Sequence, residues 1–455
     1  MLLPAVLSLA LGLWGVRRGG SMWRDEAVSY DMAHRSLPDL AATLVHADAV
    51  HGLYYLLLHG LFRASGDADP LLVLRLPSVL ATALAAGTLA LLGRRLAGPR
   101  PGLLAGGVFA LLPPVQRYAQ EGRSYALVCM LVVWASYLLV RAVETRSHRM
   151  WAGYGAVALA ACLLHEFAVL AVLAHLVALP RAARRNGMRV AAVVSFCLAP
   201  LVAVSIRQSD QVSWIGGVHA GALLGFAGVT VLGAACAALI RRGPLPAFAL
   251  SLLVLPALLL LLATPLKPLY VDRYVLYGHA GTALLVGTAL DRLPRARGRI
   301  RVATVLTAGA CTLVLLPVTL HLRTPQSRTD NVTAVAEAIR AAGRDGDSVL
   351  YLPSWRRVWS LADPTSVRGL RDLALDRGPV TSHTLYGIEA AAPVIRARML
   401  ATARIVVVTD PAGQPPDQAA PEQVKRQVLA DHFEACGTRR VQGARISLYA
   451  RPGRC

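Results

Sequence analysis

Lysine is almost missing from this 455-residue chain. Lys267 and Lys425 are the two present among 47 basic residues, so arginine carries nearly all of the +21 net charge. Charge of either sign is scarce, at 16% of residues against 55% apolar. That balance excludes one ordinary soluble domain, and the length exceeds what a single core serves. The seven cysteines show no metal-binding spacing, which excludes a cysteine metal centre. Cys129, Cys162, Cys197, Cys236 and Cys311 lie in apolar runs and read as small buried fillers. Cys436 and Cys455 lie in a polar tail and can pair there if the tail is outside the cytoplasm. The first apolar segment, Leu2 to Val16, has no basic residue before it and no small-residue cleavage site, so it reads as a retained helix rather than a signal peptide.

What is present is a succession of apolar runs of membrane-spanning length, the mark of a polytopic membrane protein. The arginines fall in short loops between these runs, as topology signals do, which argues against a nucleic-acid partner. Five clusters stand out: Arg94, Arg95 and Arg100; Arg141, Arg146 and Arg149; Arg181, Arg184, Arg185 and Arg189; Arg241 and Arg242; and Arg292, Arg295, Arg297, Arg299 and Arg301. The positive-inside rule makes all five cytoplasmic, so each interval between them is a helical hairpin with an outer apex. The apices fall near residues 113–124, 164–167, 206–219 and 264–274. The second hairpin, Trp151 to Pro180, is tight for two spans and requires tilt or a thinned bilayer. With Leu71–Leu92 crossing inward and Val302–Leu320 outward, the reading is about 11 spans, an inside N-terminus and a first external loop over 17–70. Arg17 and Arg18, on the outer side of the first helix, run against it.

Beyond residue 320 the character changes. The stretch from Asn331 to Arg340 has helical apolar spacing, Asp347–Leu352 and Arg404–Thr409 read as buried strands, Glu422–Phe433 as a helix and Ala444–Tyr449 as a last strand. The fold class is thus an all-α polytopic membrane domain, residues 1–320, with a small extracytoplasmic α/β domain, residues 321–455. The tail has no Gly-rich phosphate loop and no catalytic motif.

On this topology the unusual polar residues gather on one side. Asp25, Glu26, Asp48 and His51 lie in the first outer loop, and Glu121, Arg123 and Tyr125 at the first apex. His165 and Glu166 occupy the second, and Lys267, Asp272, Arg273 and Tyr274 the fourth. Acids at the mouth of an apolar helix are costly near lipid and mark a site more often than a face. Cations on the outer side at membrane depth need a specific partner, which an anionic lipid headgroup supplies.

Trp23-Arg24-Asp25-Glu26-Ala27, the stretch from His51 to His59, Arg75-Leu-Pro-Ser78, Gln120-Glu-Gly-Arg-Ser-Tyr125 and Asp272-Arg-Tyr274 come in a telling order. Over residues 1–320 the chain resembles the GT-C membrane glycosyltransferases of the protein-mannosyltransferase and aminoarabinose-transferase kind (glycosyltransferase family 39-like). The resemblance implies a sugar donor on a polyprenyl phosphate, transferred with inversion to an acceptor hydroxyl on the outer face. It implies Asp25 as general base and Arg123 and Arg273 as holders of the lipid phosphate, with Lys267 assisting. Glu26, His51, Glu121, Tyr125, His165, Glu166 and Tyr274 complete the expected substrate-binding set. Asp48 with His51 is a candidate pair for a divalent cation, magnesium or manganese by its hard ligands.

The acceptor, a glycan, lipid or protein, is left open, as is the sugar. Arginine in place of lysine fits a GC-rich bacterial coding sequence and hence a bacterial plasma membrane, with lipids as neighbours. A lipid or glycolipid flippase is the competing reading. Transporters keep ionisable groups near the bilayer midplane, whereas here they sit at the rim.

Overall fold

The computed structural model describes residues 2–209, 215–292 and 314–455. The chain forms two compact units. The first comprises 1–16, 48–54 and 75–322, the second 17–47, 55–74 and 323–455. Much of the first loop, 17–47 and 55–74, therefore packs with the tail region in one unit.

The first unit is helical: α1 (Leu2–Leu13), most of α5 (Pro70–Ala97), α6 (Pro99–Leu111), α7 (Pro113–Ala119), α8 (Tyr125–Thr145), α9 (His148–Leu164), α10 (Val169–Ala178), α11 (Arg181–Arg207), α12 (Ala220–Ile240), α13 (Leu245–Ala263) and α14 (Gly278–Arg292). Prolines in the first turns of α6 and α7 start those helices where their missing N–H costs nothing. Among the described residues five helices, α5, α8, α11, α12 and α13, are long and apolar enough to cross a membrane. The protein is therefore read as integral to the membrane. The count of about 11 spans is not established. Helices α1, α6, α9, α10 and α14 have 12, 13, 17, 10 and 15 residues, short of the usual ~20. Most of the expected Val302–Leu320 span and of the fifth arginine cluster, and Cys311, lie outside the described residues.

Two packing features hold this unit. A Cβ on Gly287 would stand 2.4 Å from the Ala105 backbone nitrogen, so α14 and α6 meet backbone to backbone. The Ser136 hydroxyl lies 2.8 Å from His175 Nε2, and the Tyr154 hydroxyl 3.2 Å from its Nδ1, which joins α8, α9 and α10 through buried polar groups.

The second unit holds α2 (Arg24–His34), α3 (Leu37–His46) and most of α4 (Gly52–Ser65), together with the tail. Ser36 caps α3 by accepting the Asp39 N–H, and Asn331 caps α15 (Val332–Ala342) by accepting that of Ala334. The tail continues through β1 (Ser348–Leu352), α16 (Val358–Leu361), β2 (Arg371–Asp372), β3 (Leu375–Arg377), β4 (Ile388–Glu389), α17 (Ala392–Leu400), β5 (Arg404–Thr409), α18 (Ala420–His432), β6 (Glu434–Val441) and β7 (Ala444–Ala450). The main sheet runs β2-β1-β5-β7-β6, with β1, β2 and β5 parallel and β7 and β6 antiparallel. Strand β1 is buried throughout and β5 along its centre, as covered parallel strands must be. The core gathers Leu350, Ile405, Val407, Ile395, Met399 and Val428.

The expected helices and strands of the tail are all present. Strand β6 and helix α17 are additions that the apolar pattern did not announce, β6 being an edge strand with mostly exposed residues. Cys436 on β6 is bonded to Cys455, with a Cα separation of 5.3 Å.

Candidate active site

Four segments far apart in sequence meet in the first unit: residues 48–51, 118–125, 165–167 and 272–274. Buried hydrogen bonds set their backbones. The Gln120 amide donates to the carbonyls of Gly12 (2.9 Å) and Trp14 (2.7 Å), which close the end of α1. Arg75, fully buried on α5, donates to the Val16 carbonyl at 2.6 Å. One turn on, the Ser78 hydroxyl donates to the Glu121 carbonyl at 2.6 Å and lies 3.2 Å from that of Arg123. The Arg123 side chain is buried, and its Nη1 lies 3.9 Å from an Asp48 carboxylate oxygen.

An aromatic wall adjoins this arginine. The His165 ring is 4.6 Å from that of Tyr274, and 5.7 Å from those of Tyr125 and His51. The Arg273 guanidinium lies 5.5 Å from the Tyr125 ring centre and 5.8 Å from that of Tyr274, within cation–π range. The Tyr118 hydroxyl is 3.1 Å from both oxygens of Asp272, which also accepts the Arg273 N–H at 2.8 Å.

Burial holds the His51 imidazole well below its ordinary pKa, and the charges of Arg123 and Arg273 push it the same way. His165 is lowered as strongly, by burial first and then by His51, Arg273 and Arg123, with Asp48 opposing. Both rings are therefore neutral at pH 7. Burial, then Asp272 and Glu121, raises the Tyr118 hydroxyl well above its usual range, so it stays a donor. The result is a recess in which the guanidinium groups of Arg123 and Arg273 stand beside the carboxylates of Asp48 and Asp272, while its histidines add no charge.

Beside it, a groove of about 570 Å³ runs along α12 and α13. Its wall is largely apolar, with Phe226, Val229, Leu253 and Ala257, and it includes Tyr270 and Asp272.

The Trp23–Glu26 motif belongs to the second unit and opens α2. Glu26 is fully buried; the Arg18 Nη2 donates to its two oxygens at 2.9 and 2.8 Å. It also accepts the Trp23 N–H at 3.4 Å, closing a capping arrangement. Asp25 is half-buried, its carboxylate 3.8 Å from Arg24 Nε.

Of the expected residues, the structure brings together Asp48, His51, Arg123, Tyr125, His165, Arg273 and Tyr274. Glu121 is buried in the same segment. Glu166 accepts the Ser205 hydroxyl at 2.9 Å, and the exposed Lys267 acts on it electrostatically. Asp25 and Glu26 are in the other unit. Sequence reasoning passed over Ser78, Tyr118 and Arg18 as site residues. Arg75-Leu-Pro-Ser78 was visible as a motif, but nothing local tied its serine to the Glu121 carbonyl.

The pair Asp48 and His51 does not fit a magnesium or manganese ion. Arg123 already sits at Asp48, and two guanidinium groups act on His51, so a second cation there meets repulsion. Among the described residues no group of three or more His, Cys, Asp or Glu side chains is arranged to hold a metal.

Comparison with known proteins adds the following. A family model described as dolichyl-phosphate-mannose-protein mannosyltransferase matches residues 53–207. Among solved structures, ArnT from Cupriavidus metallidurans aligns with a TM-score of 0.57 in the apo state and 0.60 bound to undecaprenyl phosphate. Identity is 12%, over 98% of this chain and 97% of that one. The apo Archaeoglobus fulgidus oligosaccharyltransferase aligns with a TM-score of 0.53 at 12% identity, over 90% of this chain and 69% of that one. A search of curated sequences gives no match.

Proposed function

From the premise that this chain has the GT-C fold and is similar to the mannosyltransferase and ArnT glycosyltransferases, we propose that it is a membrane glycosyltransferase using a sugar carried on a polyprenyl phosphate. In this reading the reaction takes place on the extracytoplasmic face, where the α/β domain also lies.

The acceptor hydroxyl oxygen attacks the anomeric carbon. The bond from that carbon to the phosphate oxygen breaks, with inversion, and the acceptor proton passes to the Asp25 carboxylate. The leaving group changes from a phosphodiester with one negative charge to a phosphomonoester that gains a second. No acid is needed to expel it, but the new charge needs cations. Arg123 and Arg273 take that role, and each such donor is worth ~10²-fold or more in rate or binding. Neutral His51 and His165, with Tyr125 and Tyr274, form the wall against which the sugar or phosphate rests. The apolar groove on α12 and α13 takes the first part of the isoprenoid chain. Lys267, Glu166 and Glu121 are second-rank candidates for contact with the donor.

The observation that carries this reading is the convergence of two guanidinium groups, 150 positions apart in sequence, with neutral histidines and an apolar groove. Membranes containing the protein are supplied with labelled polyprenyl-phosphate mannose or polyprenyl-phosphate arabinose, and release of free polyprenyl phosphate is followed. Loss of release with Asp25→Asn supports the mechanism. Wild-type release by that variant removes it, and lipid movement across vesicles without any release would favour a flippase.

A further inference from the structure

Within the second unit, the segment bearing Asp25 is held by the start of the tail. The Val332 N–H donates to the Met22 carbonyl at 2.8 Å, and the Met22 N–H to the Thr333 hydroxyl at 3.1 Å. The Thr333 hydroxyl lies 3.1 Å from the Gly20 carbonyl. Between these contacts sits Asp330, almost fully buried. One of its oxygens accepts the Arg24 N–H at 2.8 Å across 306 positions of sequence, and the other lies 3.6 Å from Arg24 Nε. Arg24 opens α2, so its N–H is one of the four donors that a helix cannot satisfy itself. A carboxylate there is favoured by the helix dipole as well. Arg24 thus stands between two carboxylates, 3.6 Å from Asp330 and 3.8 Å from Asp25.

The tail grips both partners in turn. A Cβ on Gly443, in the β6–β7 turn, would fall 2.3 Å from the Asp330 Cβ, so only glycine allows this approach. The Asn331 N–H donates to the Gln442 carbonyl at 3.1 Å. The Arg24 guanidinium lies 5.8 Å from the Trp355 ring centre, and Arg356 4.8 Å from the same ring. Burial raises the Asp330 carboxyl, Arg24 pulls it back, and Asp25 raises it further, which marks the two acids as electrostatic neighbours.

We propose that Asp330 is a positioning residue for the general base: it anchors the first residue of α2 and thereby sets where the neighbouring Asp25 carboxylate stands. The α/β unit is then part of the catalytic apparatus and not an appended module. The proposal rests on the transferase reading above for the role of Asp25, and on the contacts alone for the anchoring.

The test uses the full-length protein and two readouts. Hydrogen exchange at the Arg24 amide is slow in wild type and in Asp330→Asn, which keeps an acceptor oxygen, and at least about tenfold faster in Asp330→Ala. Exchange over Val349–Leu352 stays unchanged in both variants, which shows that the sheet is intact. In the release assay with polyprenyl-phosphate mannose or arabinose, Asp330→Ala lowers kcat about tenfold or more with donor KM unchanged, and Asp330→Asn recovers most of it. An Arg24 amide equally slow in Asp330→Ala, or a wild-type kcat in that variant while Asp25→Asn is inactive, overturns the proposal and leaves the transferase reading standing. Equal losses in Asp330→Ala and Asp330→Asn with unfolded sheets overturn it in favour of a purely structural acid. An active Asp25→Asn overturns both.

Discussion

The Ser78 hydroxyl, fully buried on α5, lies 2.6 Å from the carbonyl oxygen of Glu121. A single side chain thus ties a long apolar helix to the backbone that carries Arg123. Replacing Ser78 with alanine removes that tie, a loss of ~1–2 kcal/mol. The expected outcome is a rise of roughly 5–30-fold in donor KM, as that energy converts at 1.4 kcal/mol per decade. Unchanged donor affinity in the folded variant would show that the segment holds its shape without Ser78.

The Arg273 guanidinium lies over two aromatic rings, those of Tyr125 and Tyr274. Arg273→Lys keeps the charge but loses the planar group that rests on those rings and forks onto a phosphate. Donor binding, measured by titration of polyprenyl phosphate, is expected to weaken about tenfold in Arg273→Lys and about a hundredfold in Arg273→Ala, in line with ~1.5–3 kcal/mol for charged hydrogen bonds. Equal affinities for the two variants would exclude a shape-dependent contact.

Glu26 and Arg18 are both fully buried, so removing one leaves a charge without its counterpart. Glu26→Gln is expected to cost ~3–5 kcal/mol and to appear first as loss of folded protein from the membrane. Arg18→Met with Glu26→Leu should recover the yield. If Glu26→Gln is well folded and defective in substrate binding alone, the acid contacts substrate after all.

The two depressed histidines make stability depend on pH. Their folded pKa values lie below the unfolded value near 6.5, so the unfolded chain takes up protons first as pH falls. Stability contributed by the neutral rings is therefore full above about pH 7 and is lost on acidification below ~6.5, by at most ~1.4 kcal/mol per pH unit for each ring. Thermal midpoints recorded from pH 7 to 5 should fall, and less steeply in His51→Gln/His165→Gln. A slope that the double variant leaves untouched would place the titration elsewhere. Donor KM should stay flat from pH 7 to 8, since neither ring changes charge there.

Cys436 and Cys455 are 19 residues apart, and a loop of that size is worth ~3 kcal/mol when closed. In intact cells, alkylation without reductant should leave both unmodified, as an oxidising compartment requires. Labelling of both thiols would argue for a cytoplasmic tail.

Helix breaks near residues 113–124, 164–167 and 264–274 were legible because loops must carry the polar residues and arginines that apolar spans cannot. Arg123 and Arg273 were among the five cations, with Arg117, Arg207 and Lys267, expected at apices away from the arginine clusters. The tail strands Ser348–Leu352 and Arg404–Thr409 were legible as continuous apolar runs. The number of spans was not, since helices of 10–17 residues carry too little apolar length to be counted from composition. The partner of Glu26 was not legible, because Arg18 sits at a φ of 47°, a backbone turn that no spacing rule announces. Asp330 was illegible for a plainer reason. Its partner Arg24 lies at the other end of the chain, and its own neighbours show only a capping asparagine.

Gly287 on α14 and Ala105 on α6 touch through their main chains, leaving no room for even a methyl group. The two helices behave as a single beam, and Arg273, just ahead of α14, rides on its end. Respacing that beam to admit a bulkier headgroup would mean rebuilding both members at once. Divergence toward new donors should thus proceed through replaceable lining such as Phe226 and Val229, with the cationic mount inherited unaltered.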